Sequence, residues 1–152
     1  MESTLLVQEA KNILEMMGIH TKEVKVIVDN DLHISILSLR LGGNEAELFK
    51  ENNSELQRNF SHIIKALLEK KHQYKDLIVD VNGEDKKLID LTKQKAEIAV
   101  ERVRFFDKPY EFGYLNAYER MLVHSYLKNT PNIITESQGE RRDRRLVIKK
   151  QT

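Results

Sequence analysis

The chain has 152 residues, enough for one ordinary domain or two very small ones. Its 25 Lys/Arg and 24 Asp/Glu leave a formal charge of +1, so bulk charge announces no polyanionic partner, and the absence of cysteine excludes disulfides, thiol catalysis and Cys-based zinc sites. No apolar run approaches the roughly 20 residues needed to cross a bilayer, and Met1-Glu2-Ser3-Thr4 lacks the basic start of a signal peptide; the expectation is a soluble, cytoplasmic protein without membrane insertion.

Ser3 is placed to cap a helix running to about Met17, with Leu5, Leu6, Ala10, Ile13, Leu14 and Met17 on one side and Gly18 as its stop. Val24, Val26 and Val28 then read as a strand, Asn30-Asp31 as a turn, and Leu32, Ile34, Ile36 and Leu37 as a second strand ended by Gly42-Gly43. A short helix around Glu45 to Lys50 follows. A longer one runs from Ser54 to about Lys71, with Ser54 as N-cap, Gln57 at the capping-box position, and Leu56, Phe60, Ile63, Ile64, Leu67 and Leu68 as an apolar stripe. Leu77-Ile78-Val79 is a third strand, closed by Asn82-Gly83. The order is helix, two strands, two helices and a strand, an α+β pattern.

A long helix is predicted from about Glu84 to Phe106, carrying Leu88, Ile89, Leu91, Ala96, Ile98, Ala99 and Val103. Pro109 falls in the next loop. The segment around Asn116 to His124 has helical spacing, with Leu115, Tyr118, Met121, Leu122 and Tyr126 as apolar positions and Met121 and Leu122 directed to a core. Ile133-Ile134 reads as a short strand able to pair with Leu146-Val147-Ile148 across a turn at Ser137-Gln138-Gly139. The halves are expected to divide near Gly83, as residues 1–83 and 84–152.

Two features of the C-terminal part carry chemistry. Arg120 and His124 are four apart, so they share one helical face a turn apart, where two donors can grip one phosphate. Arg141, Arg142, Arg144 and Arg145 present guanidinium forks, the group best shaped for phosphate oxygens, with Lys149 and Lys150 beyond them. From Val100 to Thr152 there are 11 Lys/Arg and 7 Asp/Glu, a net +4, on a mildly acidic remainder. Tyr110, Phe112, Tyr114, Tyr118 and Tyr126 surround the Arg–His helix, and one or two exposed rings among them would stack bases. The competing reading packs His124 at a core edge and pairs Arg120 with Glu119 or Glu111. Enzyme chemistry has no residues to carry it. The five histidines lack metal-ligand spacing, no serine sits in a nucleophile elbow, and Gly42-Gly43 lacks a phosphate-loop lysine. No catalytic residue, metal or cofactor is expected.

Arg120-x-x-x-His124, followed by Thr135-x-Ser137-x-Gly139-Glu140 and Arg144-Arg145-Leu146-Val147-Ile148, resembles the R-three-H domain, a module that binds single-stranded nucleic acid. The variant most similar ends the bacterial Jag proteins (KhpB or EloR), where a type II KH domain precedes it. The resemblance implies a KH-like half, then a long helix and a small R-three-H α/β domain. It also implies a non-catalytic single-stranded RNA binder, with single-stranded DNA left open, whose contacts come from Arg120, His124, Arg141, Arg144 and Arg145. KH domains clamp RNA with a GXXG loop, and alignment puts Lys50-Glu51-Asn52-Asn53 there. Both glycines are gone and Glu51 adds negative charge, so this half is expected to keep the KH scaffold and lose the usual grip, with the Lys50 side chain left as the candidate phosphate contact of that loop. Arg142 stands where the family usually has proline. The alternative implied by the resemblance is an interaction or dimerisation module in cell-envelope or cell-division regulation. Its partner would be a small KH-domain protein or a second copy, and exposed apolar residues on the Ser54–Lys71 helix would favour it.

Overall fold

The computed structural model describes residues 2–51, 55–72 and 76–152, without the side chains of residues 2, 50, 51 and 72. The chain is mixed α+β and divides into two compact units, residues 1–87 and 88–152; the described residues form five α-helices and two three-stranded sheets.

The first unit begins with α1 (Glu2–Met16). Leu6, Ala10 and Leu14 recur every four residues, so one helical stripe enters the core. The helix starts before Ser3, which lies inside its exposed first turn instead of capping it; water can satisfy the first amides there. Gly18, at φ 71°, ends the helix: its N–H donates to the Glu15 carbonyl and that of Ile19 to the Leu14 carbonyl, both at 2.9 Å. The hairpin follows as β1 (Thr21–Asp29) and β2 (Ile34–Leu41), antiparallel. Leu32 belongs to the turn and not to the strand. The turn is organised by Asp29, whose Oδ1 accepts the N–H groups of Asp31 and Leu32, each at 3.1 Å.

Two helices, α2 (Gly43–Glu51) and α3 (Glu55–His72), lead to β3 (Leu77–Val81), which pairs with β2 in parallel. Ser54 as N-cap lies outside the described residues. Gln57 is buried, and its Nε2 donates to the Val81 carbonyl at 3.2 Å, tying α3 to the end of β3. The apolar stripe of α3 divides: Phe60, Ile64 and Leu68 join the core, while Leu56, Ile63 and Leu67 remain exposed. Core residues from all three helices and all three strands close the unit, with the Phe49 and Phe60 rings 5.0 Å apart. Beyond β3, Asn82 (φ 56°) uses its Oδ1 to accept the Leu41 N–H at 2.9 Å.

α4 (Glu84–Phe106) starts in the first unit and continues through the second. Its start is capped from β3: Asp80 Oδ1 accepts the N–H groups of Asp85 at 2.9 Å and Lys86 at 3.4 Å. Burial raises the pKa of Asp80. Burial first, then the neighbouring charges of Asp80 and Glu84, pushes Asp85 up to about 6.

In the second unit, Ala96, Ala99, Val100 and Val103 of α4 form a narrow stripe into the core, whereas Leu91 and Ile98 are exposed. The remaining elements are β4 (Tyr110–Glu111), α5 (Ala117–Leu127), β5 (Ile133–Gln138) and β6 (Arg145–Lys150). β6 is the central strand, antiparallel to both neighbours. β5 runs four residues beyond Ile134, because Ser137 and Gln138 pair with Leu146 and Arg145 instead of turning the chain. The turn falls on Gly139 to Arg144 and contains one 3-10 turn at Arg141–Asp143. Two-residue β4 carries too short a pattern to stand out in sequence.

Candidate nucleic-acid interface

α5 owes its start to Asn116. The Asn116 side chain accepts the Glu119 N–H at 2.8 Å, and the Glu119 carboxylate accepts the Asn116 N–H at 2.9 Å. This capping box satisfies two otherwise orphaned amides and fixes where the helix begins. The pattern Asn-x-x-Glu was available in the sequence as a start signal. Its consequence is electrostatic as well: the Glu119 carboxylate is engaged by backbone, not by Arg120.

Leu122, Val123 and Leu127 fill the core side of α5. Met121, expected inside, is 48% exposed. At about 100° per residue it lies only about 60° round the helix from His124, so it borders the polar face. Val123 takes the buried position instead.

Arg120 is half-buried, and its Nη1 donates to the Leu115 carbonyl at 2.6 Å. One of five guanidinium N–H donors is used this way. His124, one turn on, is exposed, and its Nδ1 is hydrogen-bonded to Thr135 Oγ1 of β5 at 2.5 Å. That bond orients the imidazole from the strand side. Both side chains are therefore positioned by neutral oxygens. Among the described residues neither is paired with a carboxylate, so the expected competing partners Glu119 and Glu111 do not hold Arg120. Thr135 and the Leu115 carbonyl are the positioning groups that sequence reasoning did not identify. The Thr135-x-Ser137-x-Gly139 element was the signal for the first; nothing in the sequence marks a carbonyl.

The arginine cluster separates by backbone. Arg141, Arg142 and Arg144 are exposed on the 3-10 turn and the residue after it, and no ion pair engages them among the described residues. Gly139 makes this turn possible: its φ is +83°, and a Cβ there would lie 2.7 Å from the Asp143 carbonyl oxygen. Arg142, in the proline position of the resembled family, lies within the 3-10 turn. Arg145 differs from the other three. It is half-buried, its Nη1 donates to the carbonyls of Arg142 at 3.0 Å and Arg144 at 3.3 Å, and its Cζ lies 5.8 Å from the centre of the Tyr114 ring. Tyr114 is the one exposed ring of the five aromatics around the helix.

Lys149 and Lys150 do not extend the cationic surface as expected. Lys149 Nζ is 2.8 Å from Glu136 Oε1, and Lys150 Nζ is 2.5 Å from Asp107 Oδ1. The bond from Lys149 is the main cause of a lowered pKa at Glu136. Both lysines lie on β6 beside acids from neighbouring segments, which an inspection of local sequence does not bring together. Lys50 belongs to the first unit; its backbone is in α2, and its side chain, with Asn52 and Asn53, lies outside the described residues.

Among the described residues no group of three or more His, Asp or Glu could hold a metal ion, and no helix is long and apolar enough to cross a membrane. Residues 91–150 match the R-three-H domain, the module named for an Arg and a His spaced as Arg120 and His124 are. The matched span contains the whole Arg–His face and the arginine turn. No curated protein matches the chain.

Proposed function

We propose that the protein is a cytoplasmic, non-catalytic binder of single-stranded RNA, similar in organisation to the bacterial Jag proteins. The carrying observation is that Arg120 and His124 share a face of α5 and are oriented by Leu115 and Thr135, with no carboxylate neutralising them among the described residues. In this reading Arg120 makes charge-assisted hydrogen bonds to a phosphate, His124 adds a donor or stacks on a base, and Arg141, Arg144 and Arg145 support them. The first unit, with its helix–strand–strand–helix–helix–strand order, supports a KH-like scaffold. Its GXXG position reads Lys50-Glu51-Asn52-Asn53, so this loop contributes little grip. The decisive test is fluorescence anisotropy of a labelled single-stranded RNA with the Arg120→Ala/His124→Ala variant. The expected result is a loss of affinity of about tenfold or more with the melting temperature retained. Unchanged affinity in the folded variant would reject the assignment.

A second reading has its own observation. Leu56, Ile63 and Leu67 of α3 are 39%, 49% and 45% exposed at helical spacing, which supports a role for this helix in docking a small KH-domain protein or a second copy. Sedimentation of the wild type against Ile63→Asp tests it. A dimer lost on substitution favours this reading, and a monomer in both cases removes the second copy as the partner.

A further inference from the structure

We propose that Tyr114 is a nucleobase-stacking residue, whose ring, flanked by the Arg145 guanidinium, takes one unpaired base beside the phosphate held by Arg120 and His124. The inference deepens the proposed RNA-binding reading and rests on it.

Exposure separates Tyr114 from its neighbours. It is 69% exposed, while Phe112 and Leu115 are 4% and 5% exposed. The chain is pinned on both sides of it. Phe112 N–H donates to the Leu146 carbonyl at 2.9 Å, and the Leu115 carbonyl accepts from Arg120 Nη1 at 2.6 Å. The ring is thus presented to solvent from an anchored backbone, and a tyrosine loses little torsional freedom when it stacks. The second bond also fixes position: the residue that receives Arg120 is the immediate neighbour of Tyr114.

Arg145 completes the arrangement. Its Cζ lies 5.8 Å from the ring centre, and two backbone carbonyls of the arginine turn hold its Nη1. A guanidinium over a phenol ring is favourable by itself and steadies the ring. Arg145 thereby has a role distinct from that of Arg141 and Arg144: it positions the ring, while they face solvent. Because every base has a π-face, the site tolerates any sequence but requires a base.

The test uses the full chain and two labelled 12-mers: oligouridylate and an abasic ribose-phosphate strand of the same length. Wild type is expected to bind uridylate more tightly than the abasic strand. Tyr114→Ala should weaken uridylate binding about 5- to 100-fold and abasic binding by less than about twofold. Its salt dependence should stay that of wild type, because no phosphate contact is removed. Tyr114→Phe should keep the affinity. The chain contains no tryptophan, so the indole introduced by Tyr114→Trp is a single reporter, expected to be quenched by uridylate and not by the abasic strand. Equal, salt-dependent binding of wild type to both strands would overturn the Tyr114 assignment while leaving the Arg120–His124 grip standing. Equal losses on both strands with Tyr114→Ala, or an unquenched indole, would overturn it too. Failure of wild type to bind either strand would remove both the grip and the stacking site.

Discussion

The two units use charged residues in opposite ways. Residues 1–87 contain 12 Lys/Arg and 15 Asp/Glu; residues 88–152 contain 13 and 9. In the first unit acids shape the backbone. Asp29 holds the hairpin turn, and Asp80 caps α4. In the second unit the corresponding tasks fall to an uncharged asparagine and a glycine, Asn116 at the start of α5 and Gly139 at the arginine turn. The one acid that joins in, Glu119, is occupied by a backbone N–H. A region whose turns need no carboxylates can leave the cations of those turns unneutralised, even where Lys149 and Lys150 on the neighbouring strand are paired, and that is a condition for attracting a polyanion.

Four variants sharpen or break this contrast. The largest effect is expected from Ile64→Ala, which empties a fully buried site in the first core. It should cost about 2–4 kcal/mol in denaturant unfolding while leaving RNA affinity within about twofold at temperatures where the variant is folded. A large loss of affinity in the folded variant would mean that the first unit shares the binding. Next, Arg141→Gln/Arg142→Gln/Arg144→Gln should weaken RNA binding about tenfold near 0.1 M salt. The slope of log K against log salt should become shallower by about 1 to 2, the signature of one or two lost phosphate contacts. An unchanged slope would make these arginines a solvated turn.

The third effect concerns pH. The Asp85 pKa is raised to about 6 in the folded protein, so ionisation is disfavoured there relative to the unfolded chain. The group costs stability once it ionises: the cost is absent below about pH 4, grows between about pH 4 and 6, and is complete above. Asp85→Asn should therefore stabilise the protein by about 1 kcal/mol at pH 7.5, after allowance for partial solvent screening, and by nothing near pH 4. Thermal melts at the two pH values check the sign. The smallest effect is expected from Lys50→Glu, with a change in RNA affinity below about twofold in anisotropy titrations; a large loss would restore the first unit as a binding surface.

The order of elements was legible because the apolar spacings are strong. Leu6, Ala10 and Leu14, then Phe60, Ile64 and Leu68, then Ala96, Ala99, Val100 and Val103 each mark a helix with one buried stripe. The Arg–His pair and the arginine turn were legible as spacing and composition. What escaped has a common cause, dependence on partners distant in sequence. Lys150 meets Asp107 and Lys149 meets Glu136 only once the strands are assembled. His124 finds Thr135 across the helix–strand connection. Ile63 and Leu67 share the helical stripe of Ile64 and Leu68, and periodicity alone does not say how wide a stripe the neighbours will cover. Met121 sits at the border of the core face, where one helical step decides burial.

Photocrosslinking of the full chain to single-stranded RNA, with the attached peptides mapped by mass spectrometry, tests most directly where the nucleic acid lies. Crosslinks concentrated on peptides spanning Tyr114 to His124 and Arg141 to Arg145, and lost with Arg120→Ala/His124→Ala, are the predicted result. Crosslinks confined to the segment around Lys50, or unaffected by the double substitution, would contradict it.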